Sequence, residues 1–437
     1  MRKLSYWRAC LLTAMVFLLP GLATAQDATG YFPPDFDPAL PFTNHPDRGG
    51  IFISAEFIMF RQTNPITGQT VAVRGFKDVD GSITAALNGG TPIPGTFYGS
   101  GKLALSTDQV SGPNDYQPGT KIDIGYKFEN GASISLSWMY LTQHRTLASA
   151  TSVPFNQAIG VDGADSFMFS PVYGFPPDYA GAFGPGFGTG TGTANGLGAV
   201  KIGTGSSLSA TGVVGPATPL GNFLAAYGIW NGASIETITF LQRVQQYEIT
   251  WRDVVFESEN YRLSYTVGPR FFWIWEKFEW RVSDLDTNGN GGPLDTAIYS
   301  NIESNRMYGA FAGFSQECYL GHGFAVSVDL QGAMLLDVVR EKALYTTGAK
   351  DGIPRATAES KRTVTQWNAV PEINGNIQLV WYPIQSVEMR IGYNAMAFFN
   401  TISSPQPIDF NYGALTPQYK STFRLFDGLN AGIAFLF

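Results

Sequence analysis

The stretch FRLFDGLNAGIAFLF, Phe423 to Phe437, decides how this chain reads. At period two, Phe423, Leu425, Leu429, Ala431, Ile433, Phe435 and Phe437 share one face, and Arg424, Gly428, Asn430, Gly432 and Ala434 share the other. That is a strand with one apolar side. In a soluble domain the apolar side would enter a core and a polar tail would follow. Here the strand runs to the aromatic Phe437, which suits a strand that ends at a membrane interface and closes a barrel.

Composition agrees. Charged residues make up 14% of the chain, where about 25% is usual. Aromatics reach 14% and there are 50 glycines. Alternating lipid-facing and lumen-facing strands produce that mixture, with mean hydropathy near zero. No segment has the roughly 18 consecutive apolar residues of a spanning helix. A membrane location therefore requires a closed sheet, since lipid cannot satisfy an open strand edge. The formal net charge of −7, with 3 His and no basic cluster in the sequence, argues against nucleic acid as a partner.

Residues 1–25 read as a signal peptide: Arg2, Lys3 and Arg8 supply the basic start, Ala9 to Leu19 the apolar run, and Ala23-Thr24-Ala25 the cleavage site. Cys10 lies inside that segment, which leaves Cys318 alone in the mature chain and no intrachain disulfide. Residues 26–49 are rich in Pro and Asp and read as an N-terminal periplasmic tail. Residues 50–437 are the barrel.

Ten strands alternate along it. They fall at 51–62, about 120–128, 133–142, 240–256, 261–281, 304–319, 324–340, 363–381, 387–400 and 423–437. Tight turns follow every second strand, at Asn130-Gly131, Glu257-Ser258-Glu259-Asn260, Leu320-Gly321-His322-Gly323 and Tyr382-Pro383. Long connections at about 64–117, 143–236, 282–303, 343–362 and 401–421 fill the other positions. The pattern predicts an all-β fold: a closed antiparallel transmembrane β-barrel of about 10 strands, with short periplasmic turns and long extracellular loops. Twelve strands is the alternative, if residues 69–87 form an extra hairpin. In either case the last strand must pair with 51–62 so that no edge meets lipid.

The opening strand Phe52-Ile53-Ser54-Ala55-Glu56-Phe57, the run Val267-Gly268-Pro269-Arg270-Phe271 with the aromatics after it, and the Phe terminus give the chain a family likeness. Over roughly residues 50–437 it resembles the β-barrel porins in the outer membranes of bacteria with atypical envelopes. The resemblance implies an outer-membrane barrel and names no solute.

Alternation places Glu56, Lys121, Asp123, Lys127, Glu248, Arg252, Arg262, Arg270, Asp329, Glu372, Glu388 and Arg390 inside the barrel, with Glu276 and Asp337. Such a set either selects solutes by charge or fills a narrow lumen with salt bridges. Barrels of about eight strands are filled and channels open by about sixteen, so ten strands favours filling. Trp273, Trp275, Phe278, Trp280, Trp367 and Trp381 are expected in interfacial girdles. Asp284, Asp286, Asn288 and Asp295, with Gly289 between, have calcium-loop spacing. The competing reading is a plain Asp/Asn/Gly turn, favoured by the lack of flanking helices and by Asp at the last position.

The expectation is an outer-membrane protein that passes small solutes passively or serves the envelope structurally. A secreted or surface all-β binding protein without a pore is the alternative. Its partners would be outer-membrane lipids, and the barrel-assembly machinery through Phe437. No enzyme is expected: there is no Gly-x-Ser-x-Gly elbow, and His45, His144 and His322 are scattered over tail, strand end and inner turn.

Overall fold

The computed structural model describes residues 49–437 apart from 64–65, 79–88, 111–115, 152–164, 166, 175–200, 203–205, 208–222, 225–229, 231–232, 259, 284–295, 348–358 and 385. The signal peptide, most of the N-terminal tail and all four calcium candidates, Asp284, Asp286, Asn288 and Asp295, lie outside the described residues.

Ten strands form one antiparallel ring. In chain order they are β1 (Gly50–Gln62), β2 (Gln117–Lys127), β3 (Ser133–Thr151), β4 (Ile235–Ser258), β5 (Tyr261–Ser283), β6 (Thr296–Gly321), β7 (Phe324–Thr347), β8 (Glu359–Ile384), β9 (Val387–Gln406) and β10 (Gln418–Leu436). Each pairs with its sequence neighbour, and β1 closes the ring by pairing with both β2 and β10. The closing register runs from Phe52 opposite Leu436 to Gln62 opposite Phe426. Among the described residues no extra hairpin from 69–87 joins the ring. Residues 70–74 and 76–78 pair with 103–106 and 96–98 in small sheets apart from the ring.

Connections of a few residues join β2 to β3, β4 to β5, β6 to β7 and β8 to β9, all at one end. At the β6–β7 turn His322 takes a φ of 54° between Gly321 at 87° and Gly323 at 77°. Three successive left-handed residues reverse the chain there, and only the flanking glycines adopt that geometry without a steric cost.

The outer face is apolar and open. Ile51, Phe57, Leu136, Phe314, Ile391 and Leu429 are each 53–58% exposed. A soluble protein would bury so wide a band, whereas lipid covers it. Charges interrupt the band: Arg61 Nε donates to Asp427 at 3.1 Å, Tyr393 also donates to that carboxylate, and the Tyr265 hydroxyl donates to Asp253 at 3.3 Å. The apolar face of the closing strand thus carries a carboxylate, at the odd position where the sequence sets Asp427 between Leu425 and Leu429.

Most strands outrun their predicted ends. β6 begins at 296 rather than 304, β7 continues to 347, β8 starts at 359 and β9 reaches 406. Beyond the band the faces exchange character. On β5 the outward residues become Lys277, Glu279 and Arg281, while Phe278, Trp280 and Val282 turn inward and are 3% exposed or less. Phe278 and Trp280 are therefore core residues, not girdle residues. Trp273 and Trp275 keep the outward position, and Trp367 and Trp381 are 67% and 41% exposed. A read that follows the greasy face loses the strand where that face changes sides.

Candidate functional site: the barrel interior

The lumen is stratified. At the tight-turn end lies a cavity of about 300 Å³ whose wall includes Glu56, Lys121, Asp123, Arg252, Asp329 and Arg390. Lys127, Arg262, Glu248 and Glu388 line it as well. Alternation on β1, β2, β4, β5, β7 and β9 brings these side chains together, and most of them pair, either across strands or two residues apart along one strand. Arg390 reaches Glu56 at 3.0 Å and Glu388 at 3.4 Å. Lys121 stands 3.7 Å from Asp123, Arg252 3.8 Å from Asp329, and Arg262 2.6 Å from Glu257. Asp123 also accepts hydrogen bonds from Ser54 at 2.8 Å and from Ser137.

Above the cavity Arg270, 2% exposed, bridges two carboxylates, with Glu372 at 2.6 Å and Glu248 at 2.8 Å. Its guanidinium lies 4.3 Å from the Phe311 ring centroid. Both acids and the arginine are inward by alternation. Their pairing joins residues 102 positions apart and is invisible in the sequence.

An apolar belt comes next. Side chains of every strand except β2, among them Ile58, Phe60, Leu141, Phe272, Phe398 and Phe426, meet there and are each 4% exposed or less. Phe272 centres 4.5 Å from Phe398 and 5.8 Å from Phe426. Water has no room among them, so the described lumen is filled at this height.

Over the belt lies a buried polar layer. Arg424, with no exposed surface, donates to both oxygens of Glu276 at 2.6 and 2.7 Å. Gln242 donates to Glu276 at 2.7 Å and Gln117 to Gln242 at 2.8 Å. Glu303 stands 4.0 Å from Arg424, and both carboxylate oxygens of Asp337 lack a hydrogen-bond partner among the described residues. Arg424 was legible only as a polar-face residue of the closing strand. Its neighbours Gly428, Asn430 and Gly432 gave no sign of an ion pair.

The outermost layer is an aromatic plug. Trp230, 1% exposed, packs edge-on to Trp280 at 4.6 Å and to Tyr412 at 5.3 Å. Tyr345 and Tyr412 centre 4.3 Å apart, and Trp230 Nε1 donates to the Tyr345 hydroxyl at 3.2 Å. Val71, Ala72, Leu105, Met168 and Ile408 come from the long connections and pack into the same cluster. Propensity gives no warning of it, because those segments read as loops.

Glu236 anchors this plug. It sits at the start of β4, beyond the outward apolar band that runs from Tyr247 to Phe256. It accepts from Ser170 Oγ at 3.0 Å and from Trp280 Nε1 at 2.9 Å. Burial pushes its carboxyl up to about 8, and the hydrogen bonds from Trp280 and Ser170 only partly oppose that. A carboxyl raised on folding stabilises in its protonated form. The stability is full below the unfolded value of 4.5 and is lost as pH rises through about 8. Thermal scans from pH 4 to pH 9 should therefore show a fall that Glu236→Gln makes measurably smaller, and an unchanged fall in that variant would disprove the assignment.

His144 lies near the outer end of β3, with Thr146 Oγ1 at 3.3 Å, and His322 lies in the β6–β7 turn at the opposite end. No group of His, Cys, Asp or Glu among the described residues could hold a metal ion. Phe437 is 75% exposed, and its amide donates to Ile51 O at 2.9 Å on the closing seam.

An antiparallel ring with an exposed apolar outer band and a lumen packed with paired charges is a β-barrel of the outer-membrane class. Residues 93–437 match the family described as Legionella pneumophila major outer membrane protein precursor, and the chain belongs to that family. No curated protein matches it. Among solved structures, the outer membrane protease OmpT from Escherichia coli is 8% identical, with TM-score 0.32, over 89% of this chain and 97% of that one. The P. putida toluene transporter TodX is 8% identical, with TM-score 0.21, over 89% and 90%. An anion-selective porin from Comamonas acidovorans is 9% identical, with TM-score 0.14, over 89% and 99%. Likenesses this distant carry no argument about activity.

Proposed function

We propose that this protein is an outer-membrane barrel closed at rest, with a structural role in the envelope and the long connections on the outer side. The observation that carries the reading is the buried apolar belt beneath the aromatic plug. Two fillings stacked along one lumen are more than an open conduit tolerates. Purified protein in planar bilayers should give no conductance steps at modest voltage, and reproducible steps from untreated protein would overturn the reading.

A second reading, passive passage of small solutes, is favoured by the charged cavity of about 300 Å³ at the tight-turn end. It needs both the belt and the plug to move. The closed-barrel reading assigns no chemistry to His144 or His322.

A further inference from the structure

The chain carries more acid than base, yet the outward face just beyond its apolar band is basic. Arg145 on β3, Arg243 on β4, Lys277 on β5, Arg306 on β6, and Arg340 and Lys342 on β7 all point away from the lumen there. The register joins them into one patch. Arg243 sits opposite Trp275, Ser304 opposite Arg340, and Ile302 opposite both Lys277 and Lys342. Glu279 also faces outward here and is taken up by Lys277 at 2.5 Å. Arg145, Arg306, Arg340 and Lys342 form no ion pair among the described residues. Tryptophans are interleaved with them: Trp275 is opposite Arg243 and Trp273 opposite Arg306, Trp367 pairs with Val338 beside Arg306, and the Arg243 guanidinium lies 5.1 Å from the Trp275 ring centroid.

A solvated sheet face would mix the two signs. A row of guanidinium and ammonium groups, most of them without an ion pair among the described residues and set among interfacial tryptophans, lies instead where lipid headgroups carry their phosphates. Guanidinium also matches phosphate oxygens two at a time. The patch crosses five adjacent strands, about 20 Å at the usual strand spacing. That is wider than a single phospholipid headgroup.

We propose that this patch binds a phosphorylated, multiply acylated glycolipid of the outer leaflet, with the phosphates on Arg243, Arg306, Arg340 and Lys342 and the acyl chains on the tryptophans and the apolar band below. The outer-leaflet placement rests on long connections facing outward. It does not depend on whether the lumen conducts.

The test uses the full barrel in detergent, with bound lipid counted by native mass spectrometry and affinity read from tryptophan fluorescence. Bis-phosphorylated lipid A, the same lipid stripped of its phosphates, and phosphatidylglycerol are titrated in parallel. The phosphorylated glycolipid should bind at least about tenfold more tightly than the other two, and R243Q/R306Q/R340Q/K342Q should weaken it by about a hundredfold. Equal affinity for the phosphate-free lipid would overturn the proposal, as would wild-type affinity in the variant. Phosphatidylglycerol binding as tightly as lipid A would transfer the site to phospholipid and overturn the glycolipid assignment. If the fourfold variant fails to fold, the three-lipid comparison on the unaltered protein still decides.

Discussion

Arg424→Ala should cost the barrel about 3–5 kcal/mol, the usual penalty for stranding one member of a buried ion pair. Arg424 has no exposed surface and holds both oxygens of Glu276, so its loss leaves that carboxylate in a layer already containing Glu303 and Asp337. Urea titration followed by the heat-dependent gel shift of the folded barrel measures the change. The double replacement Arg424→Met with Glu276→Leu should recover most of it, since an apolar pair of similar volume needs no desolvation of charge. A single variant within about 1 kcal/mol of the wild type would show that the pair is solvated or replaceable.

Trp230→Ala should release the plug while leaving the ring intact. The indole is 1% exposed among Trp280, Tyr345 and Tyr412, and large-to-small changes at such sites cost about 3–5 kcal/mol. The loss falls on segments from the long connections, whose small sheets lie outside the strand pairing of the ring. Limited proteolysis should cut those connections faster in the variant, whereas the gel shift of the ring should stay where it was. Planar bilayers should remain silent, because Phe272, Phe398 and Phe426 still close the belt below. Unchanged proteolysis would mean that the plug is held from elsewhere.

Much of the ring can be read directly from residue order. The alternation of Trp367 to Trp381 or of Phe324 to Leu336 fixes which side meets lipid, and the tight turns fix strand pairing. The upper third was hidden for a physical reason. Above the membrane band the water-facing side becomes polar and the inner side apolar, so Phe278, Trp280, Tyr299 and Tyr345 keep the period but exchange its sense. A search for outward grease ends the strand at that crossing. The inward charges were legible one at a time by the same alternation, but their partners were not. Arg270 finds Glu372, and Arg424 finds Glu276, across separations of 102 and 148 residues that only a closed ring brings together.

The seam between β1 and β10 bears on the order of assembly. Asn430 donates to Glu56 across 374 residues, and Arg61 meets Asp427 across 366. Contacts of that span cannot form until nearly the whole polypeptide has been delivered, and bringing such distant ends together is slow. The hairpins on either side of the four tight turns are local and can zip early. Until β10 pairs with it, β1 presents one bare edge, so closure of the ring waits on that strand.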